Sequence, residues 1–154
     1  MYNVAMNDTP SPLRARLFDE LKSAMKAREA LKLDALRYML SLIKNVEIDL
    51  HREVNDQEFI SVIQKEVKKR HEAVAQMEAG GRTELAQEEK TKLFILESFL
   101  PKQMSKEEIT AVVQNIIASS ADPSFKGVIG VAIAQLKGQA DGTLISQVVR
   151  ELCV

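Results

Sequence analysis

From Leu13 to Ala79 the chain contains neither proline nor glycine. Folds built from strands need turn formers every 8–12 residues or so, and a stretch this long without them is the signature of helices. The apolar spacing agrees. Leu13, Leu17, Leu21 and Met25, with Phe18 beside them, make one helical face, and Leu36, Met39, Leu40, Ile43, Val46 and Leu50 make a second. Between the two, "REALKLD" shifts the phase of the stripe without any chemical stop. Asn55 and Asp56 are good N-cap residues, and Glu58 stands where a capping-box acid reaches back to Asn55. The third helix then turns Ile60, Ile63, Val67, Val74 and Met77 to one side and closes at Gly80-Gly81.

A fourth helix is expected with Thr83 as its cap and Leu85, Leu93, Leu96, Phe99 and Leu100 inward. Pro101 ends it, because proline has no N–H to give to the helix. Ser105 and Glu108 form a second capping box, leading into Ile109, Val112, Val113, Ile116 and Ile117. Asp122-Pro123 reads as an N-cap followed by proline at the first helical position. The helix after it carries Phe125, Val128, Ile129, Ala132, Ile133 and Leu136. "KGQADGT" is a turn with Asp141 as cap, and the last helix carries Leu144, Ile145, Val148, Val149 and Leu152. "VIGVAI" has the composition of a short strand but no partner strand elsewhere. The expected fold is all-α: a loose tail over residues 1–12, a long-helix N-terminal bundle over 13–101, and a small three-helix C-terminal domain over 102–154.

Hydrophobic residues make up 45% and charged residues 28% of the chain, the balance of a soluble globular protein. The net charge is −1, so any polyanion or membrane partner would need a local patch rather than a global field. No apolar run approaches the roughly 20 residues that span a bilayer, so no membrane partner is expected. "MYNVAMNDTPSP" has neither the basic start nor the apolar core of a secretory leader, and the lone Cys153 suits a reducing compartment. Both point to the cytoplasm.

No catalytic constellation is present, and neither a cofactor nor a metal is expected. His51 and His71 are far apart, and "HEAVA" lacks the second histidine of a zinc helix. His71 falls near the apolar stripe, which predicts a partly buried helix histidine. Gly127 and Gly130 suit close helix packing better than a phosphate cradle. Glu88-Glu89 and Glu107-Glu108 are read as first-turn acids complementing helix dipoles.

The basic residues are more informative. Lys65, Lys68 and Lys69 share a helical face, and with Arg70 against Glu66 they give a local +3. Residues 14–37 hold Arg14, Arg16, Lys22, Lys26, Arg28, Lys32 and Arg37 against Asp19, Glu20, Glu29 and Asp34, again +3. Lys126, Lys137 and Arg150 form a basic set near the C-terminus. The candidate nucleic-acid contacts are therefore Lys65, Lys68, Lys69, Lys126, Lys137 and Arg150, acting on phosphates. The same spacing also fits a plain solvated helix face. No aromatics interleave with these lysines, which argues against stacking on single strands.

Four blocks, "ELKSAMKAREALKLDALRYMLSLIKNVEID" (20–49), "AGGRTELAQEE" (79–89), "LESFLPKQMSKEEI" (96–109) and "GQADGTLISQVVREL" (138–152), resemble in order the YqeY-like family. That family is related to the tail domain of the B subunit of the glutamine-dependent tRNA amidotransferase. The likeness covers roughly Leu13 to Leu152, and the joint at Pro101 and the "G-x-ADG" turn are its most particular marks. The chain departs from the pattern at Lys126-Gly127, where family members tend to carry methionine-glycine. The resemblance implies a helical module that binds tRNA, or associates with a tRNA amidotransferase or another tRNA-handling protein, without a catalytic centre of its own. It also admits a part in carbon–nitrogen ligation with glutamine as amide donor. A protein-interaction scaffold, with the C-terminal unit packed on a helical partner, is the third reading.

Overall fold

The computed structural model describes residues 11–153. Seven helices and no strand occur among them: α1 Pro12–Ala27, α2 Ala30–Leu50, α3 Asp56–Ala79, α4 Thr83–Glu97, α5 Lys106–Ser119, α6 Phe125–Leu136 and α7 Gly142–Leu152. The chain divides into two compact units, one ending at Leu100 and the other beginning at Pro101. The reading of residues 1–10 as a tail lies outside the described residues. Ser11 and Pro12 belong to α1: the buried Ser11 hydroxyl accepts the Arg14 N–H at 3.1 Å, and Pro12 opens the helix.

In the first unit the phase change at "REALKLD" has a definite geometry. Arg28 takes the left-handed conformation with φ 55°. The Glu29 N–H donates to the Ala24 carbonyl at 3.1 Å and the Arg28 N–H to the Met25 carbonyl at 3.3 Å, the Schellman pattern of helix closure. The same motif closes α3, with Arg82 N–H to Met77 O at 2.8 Å, Gly81 N–H to Glu78 O at 3.1 Å, and Gly81 at φ 75°. At the start of α3 both halves of the Asn55–Glu58 box are formed. At α4 the cap position falls on Arg82 rather than Thr83, which is the first helical residue.

Leu17, Leu36, Met39, Ile43, Phe59, Ile63, Leu96 and Phe99 fill the core of this unit. The Phe59 and Phe99 rings pack 6.0 Å apart at 39°. Phe59 is fully buried though it lies outside the expected stripe, and each such side chain contributes about 1.5–3 kcal/mol of burial. Met25 and Leu85, expected inside, are 55% and 41% exposed. Each lies about a turn from an end of its helix, where the neighbouring helices no longer cover it.

The second unit packs α5, α6 and α7 around Ile109, Val113, Val128, Ala132, Leu136, Ile145, Val148 and Val149. Ser105 accepts the Glu108 N–H at 3.2 Å, its half of the expected box. The cap of α6 is Ser124 rather than Asp122, so Pro123 stands outside the helix. Asp122 instead accepts the Ser124 N–H and hydroxyl at 3.1 and 2.7 Å, a local turn that competes with helix start. Those two bonds hold its carboxyl below the usual range, the Ser124 hydroxyl contributing most. Ile133, expected inside, is 41% exposed.

Candidate nucleic-acid interface

Cross-helix pairing decides which basic side chains are available to a partner. Arg14 is committed to Glu47, with Nε–Oε2 at 2.8 Å, and lies 3.4 Å from Glu53. The bond to Glu47 raises the Arg14 pKa further. Burial pushes Glu47 up, but the Arg14 guanidinium and the Val54 N–H outweigh it and hold the carboxyl low. Arg16 bonds Glu20 and the Ser98 carbonyl and lies over the Phe99 ring at 4.3 Å. Arg52 forks onto Glu58, which lowers that carboxyl. These arginines tie helix ends together.

Arg70, counted in the sequence with the α3 lysines, turns inward. It bonds the buried Glu66 at 3.1 Å and Glu89 at 2.8 Å, and it lies 4.8 Å over the Tyr38 ring. Glu89 is thus a cross-helix partner and not a first-turn acid; neither it nor Glu88 lies in the first turn of α4. Glu107 and Glu108 do occupy the first turn of α5. His71 is not part of the apolar stripe: its side chain is 58% exposed and bonds Glu97 at 2.7 Å.

On α3, Lys65, Lys68 and Lys69 are all exposed. Lys65 and Lys69 are one turn apart on one edge, with Glu72 beyond them. On α1, α2 and the turn between them, Lys22, Lys26, Arg28 and Arg37 are also exposed, with no carboxylate at ion-pair distance among the described residues. Lys32, by contrast, lies 3.9 Å from both Glu20 and Glu29.

In the second unit the structure does not gather Lys126, Lys137 and Arg150 into one cluster. Arg150 lies 5.4 Å over the Phe125 ring, which brings it to the Lys126 end of α6. Lys137 caps the other end, eleven residues on and about 16 Å away at helical rise. The structure does bring together the two most particular sequence marks. The Gln103 amide donates to the Pro101 and Gly138 carbonyls at 2.8 and 3.1 Å, and the Met104 N–H donates to the Gln139 carbonyl at 2.8 Å. The stretch after Pro101 is thereby stitched to the α6–α7 turn. Spacing alone does not reveal that link, since 35 residues separate the partners.

Among the described residues no group of three or more histidine, cysteine, aspartate or glutamate side chains is placed to hold a metal ion. No helix there is long and apolar enough to cross a membrane. An open depression of about 480 Å³ at the α3–α4 turn is lined by Gly81, Arg82, Thr83, Glu84, Leu85 and Glu88, and its two carboxylates make it a poor anion site.

The family model described as Yqey-like protein matches residues 14–153. The chain belongs to the YqeY-like family. Among curated relatives of this YqeY-like chain, the mitochondrial Altered inheritance of mitochondria protein 41 of Kluyveromyces lactis is 33% identical over 119 residues, 73% of this chain and 63% of the relative. Its namesake in Lachancea thermotolerans is 27% identical over 117 residues, with the same coverage. An uncharacterised Schizosaccharomyces pombe protein is 29% identical over 93 residues, 60% of this chain and 76% of the relative. The chain thus spans a little under two thirds of the first two relatives. Their names overturn the expectation of a cytoplasmic protein. The reason is physical: a lone thiol fits any reducing compartment, so it never separated the cytoplasm from an organelle interior.

Proposed function

We propose that this YqeY-like chain is a helical module that binds tRNA through its phosphate backbone, alone or beside a tRNA-handling enzyme, and performs no chemistry itself. Its two units act as separate domains in this reading, a long-helix bundle and a three-helix C-terminal domain. The names of the relatives support a mitochondrial place of work. The observation that carries the reading is the exposed basic face of α3. Arg14, Arg16, Arg52 and Arg70 bond carboxylates of the chain itself, and Lys65, Lys68 and Lys69 stand exposed together on α3. Lysine is suited to that role, because a compact ammonium on a flexible stem meets phosphates without fixed geometry. The likeness to the amidotransferase tail domain supplies the choice of tRNA among polyanions.

Retention of labelled tRNA on filters, at low and moderate salt, tests it. Three neutralised phosphates give a log–log slope of about −2 to −3. Affinity that is absent at low salt, or flat with salt, sinks the reading.

A further inference from the structure

Helix α6 is the anomaly of the molecule. A short helix that is apolar on all sides is normally buried on all sides. Between Lys126 and Lys137 this one carries only Gln135 as a polar side chain. Yet Gly130, Val131, Ile133 and Ala134 are all exposed, Val131 by 51% and Ile133 by 41%. Lys126, Gly130, Ile133 and Lys137 recur at steps of four, three and four, so they lie along one line of the helix with Ala134 beside it. At the centre, a Cβ on Gly130 would meet nothing within 4 Å. A second helix can therefore approach the backbone there closely.

The geometry points to a docking site for an amphipathic helix of another protein, one with acidic residues about three turns apart flanking an apolar middle. Charge selects this occupant. From Pro123 to Ala140 the chain has two lysines and no acid, and the nearby Asp122 carboxylate is already held by Ser124. A second copy of this chain would bring lysine against lysine, whether the two α6 helices ran parallel or antiparallel. A phosphate backbone would find its two cations about 16 Å apart across an apolar stretch. Acids at both ends of an apolar partner stripe satisfy the lysines and cover the face, as in other helix-on-helix recognition. A contact of this size gives a weak, exchanging complex. Lys126 and Lys137 are thereby assigned to a protein partner, which leaves the tRNA reading to Lys65, Lys68 and Lys69.

The test uses the full chain and a fluorescein-labelled, stapled helical peptide about 14 residues long, with leucines in the middle and two glutamates about eleven residues apart flanking them. A second peptide carries lysines at those two positions. Fluorescence anisotropy should show the glutamate peptide binding at least about tenfold more tightly. Ile133→Asp should abolish binding while circular dichroism stays unchanged. The pair Lys126→Glu and Lys137→Glu should reverse the preference, so that the lysine peptide now wins. Gly130→Leu, which has room to fold, should weaken both peptides by closing the approach. Equal binding of the two peptides, or none, overturns the proposal. So does a dimer locked by Ala134→Cys in a Cys153→Ser background. Loss of tRNA retention in the lysine pair, with Ile133→Asp retaining it, overturns it in favour of phosphate contact.

Discussion

A Cβ on Gly127 would lie 2.3 Å from the Asp122 carbonyl oxygen, whereas one on Gly130 would meet nothing within 4 Å. The first glycine lets the preceding turn fold back on α6; it does not serve packing between helices, as its spacing from Gly130 suggested. Gly127→Ala should therefore cost about 1–3 kcal/mol, because backbone and not a flexible tip blocks the methyl. Gly130→Ala should instead gain about 0.5–1 kcal/mol from helix propensity. Urea denaturation followed by circular dichroism separates the two. Helix closures offer a matched pair. Arg28 occupies a left-handed seat at φ 55° that strains a side-chain-bearing residue, and Gly81 occupies a similar seat at φ 75° without strain. Arg28→Gly should raise stability and Gly81→Ala lower it, each by about 1 kcal/mol, with equal signs refuting the account.

Helix-scale order rests on the pairs that bridge elements, and these explain what was and was not legible in the sequence. Asn55, Ser105 and Gly81 announce helix ends by their own chemistry, so those ends read correctly. Asp122-Pro123 misleads because Ser124 competes for the cap. The fate of Arg14 and Arg70 is invisible in the sequence, since it depends on Glu47 and Glu89 arriving from other helices. Arg70→Ala should cost about 3 kcal/mol, because it leaves Glu66 buried and unpaired. Adding Glu66→Gln should recover part of that loss, which a double-mutant cycle reads directly. The pH dependence follows from the same bridges. Glu47 and Glu58 have folded pKa values below their unfolded ones, so their stabilisation is complete above the ordinary glutamate range. It is lost as pH falls out of the ordinary glutamate range and through the lower folded values. Glu47→Gln should flatten that acid limb and lower stability at neutral pH, both measurable by thermal melts across pH.

At the scale of the whole molecule, a net charge of −1 makes the tRNA reading depend on where cations stand and not on how many there are. Every bridged arginine brings its own carboxylate and is silent to a distant phosphate beyond a Debye length of about 10 Å. In the proposed reading, the exposed lysines of α3 would release counterions from RNA. Replacing Lys65, Lys68 and Lys69 together by glutamate should therefore flatten the salt dependence of tRNA retention by about 2–3 units of log–log slope. The matched change of Lys22, Lys26 and Arg37, which are equally exposed and leave the chain's net charge identical to that of the first variant, should alter it far less. Comparing these two variants removes the effect of total charge. If both lose the same slope, binding follows the general field of the protein and no particular face grips the RNA. If only the second loses it, the footprint moves to α1 and α2, and the α3 stripe is a solvated surface with no role in binding.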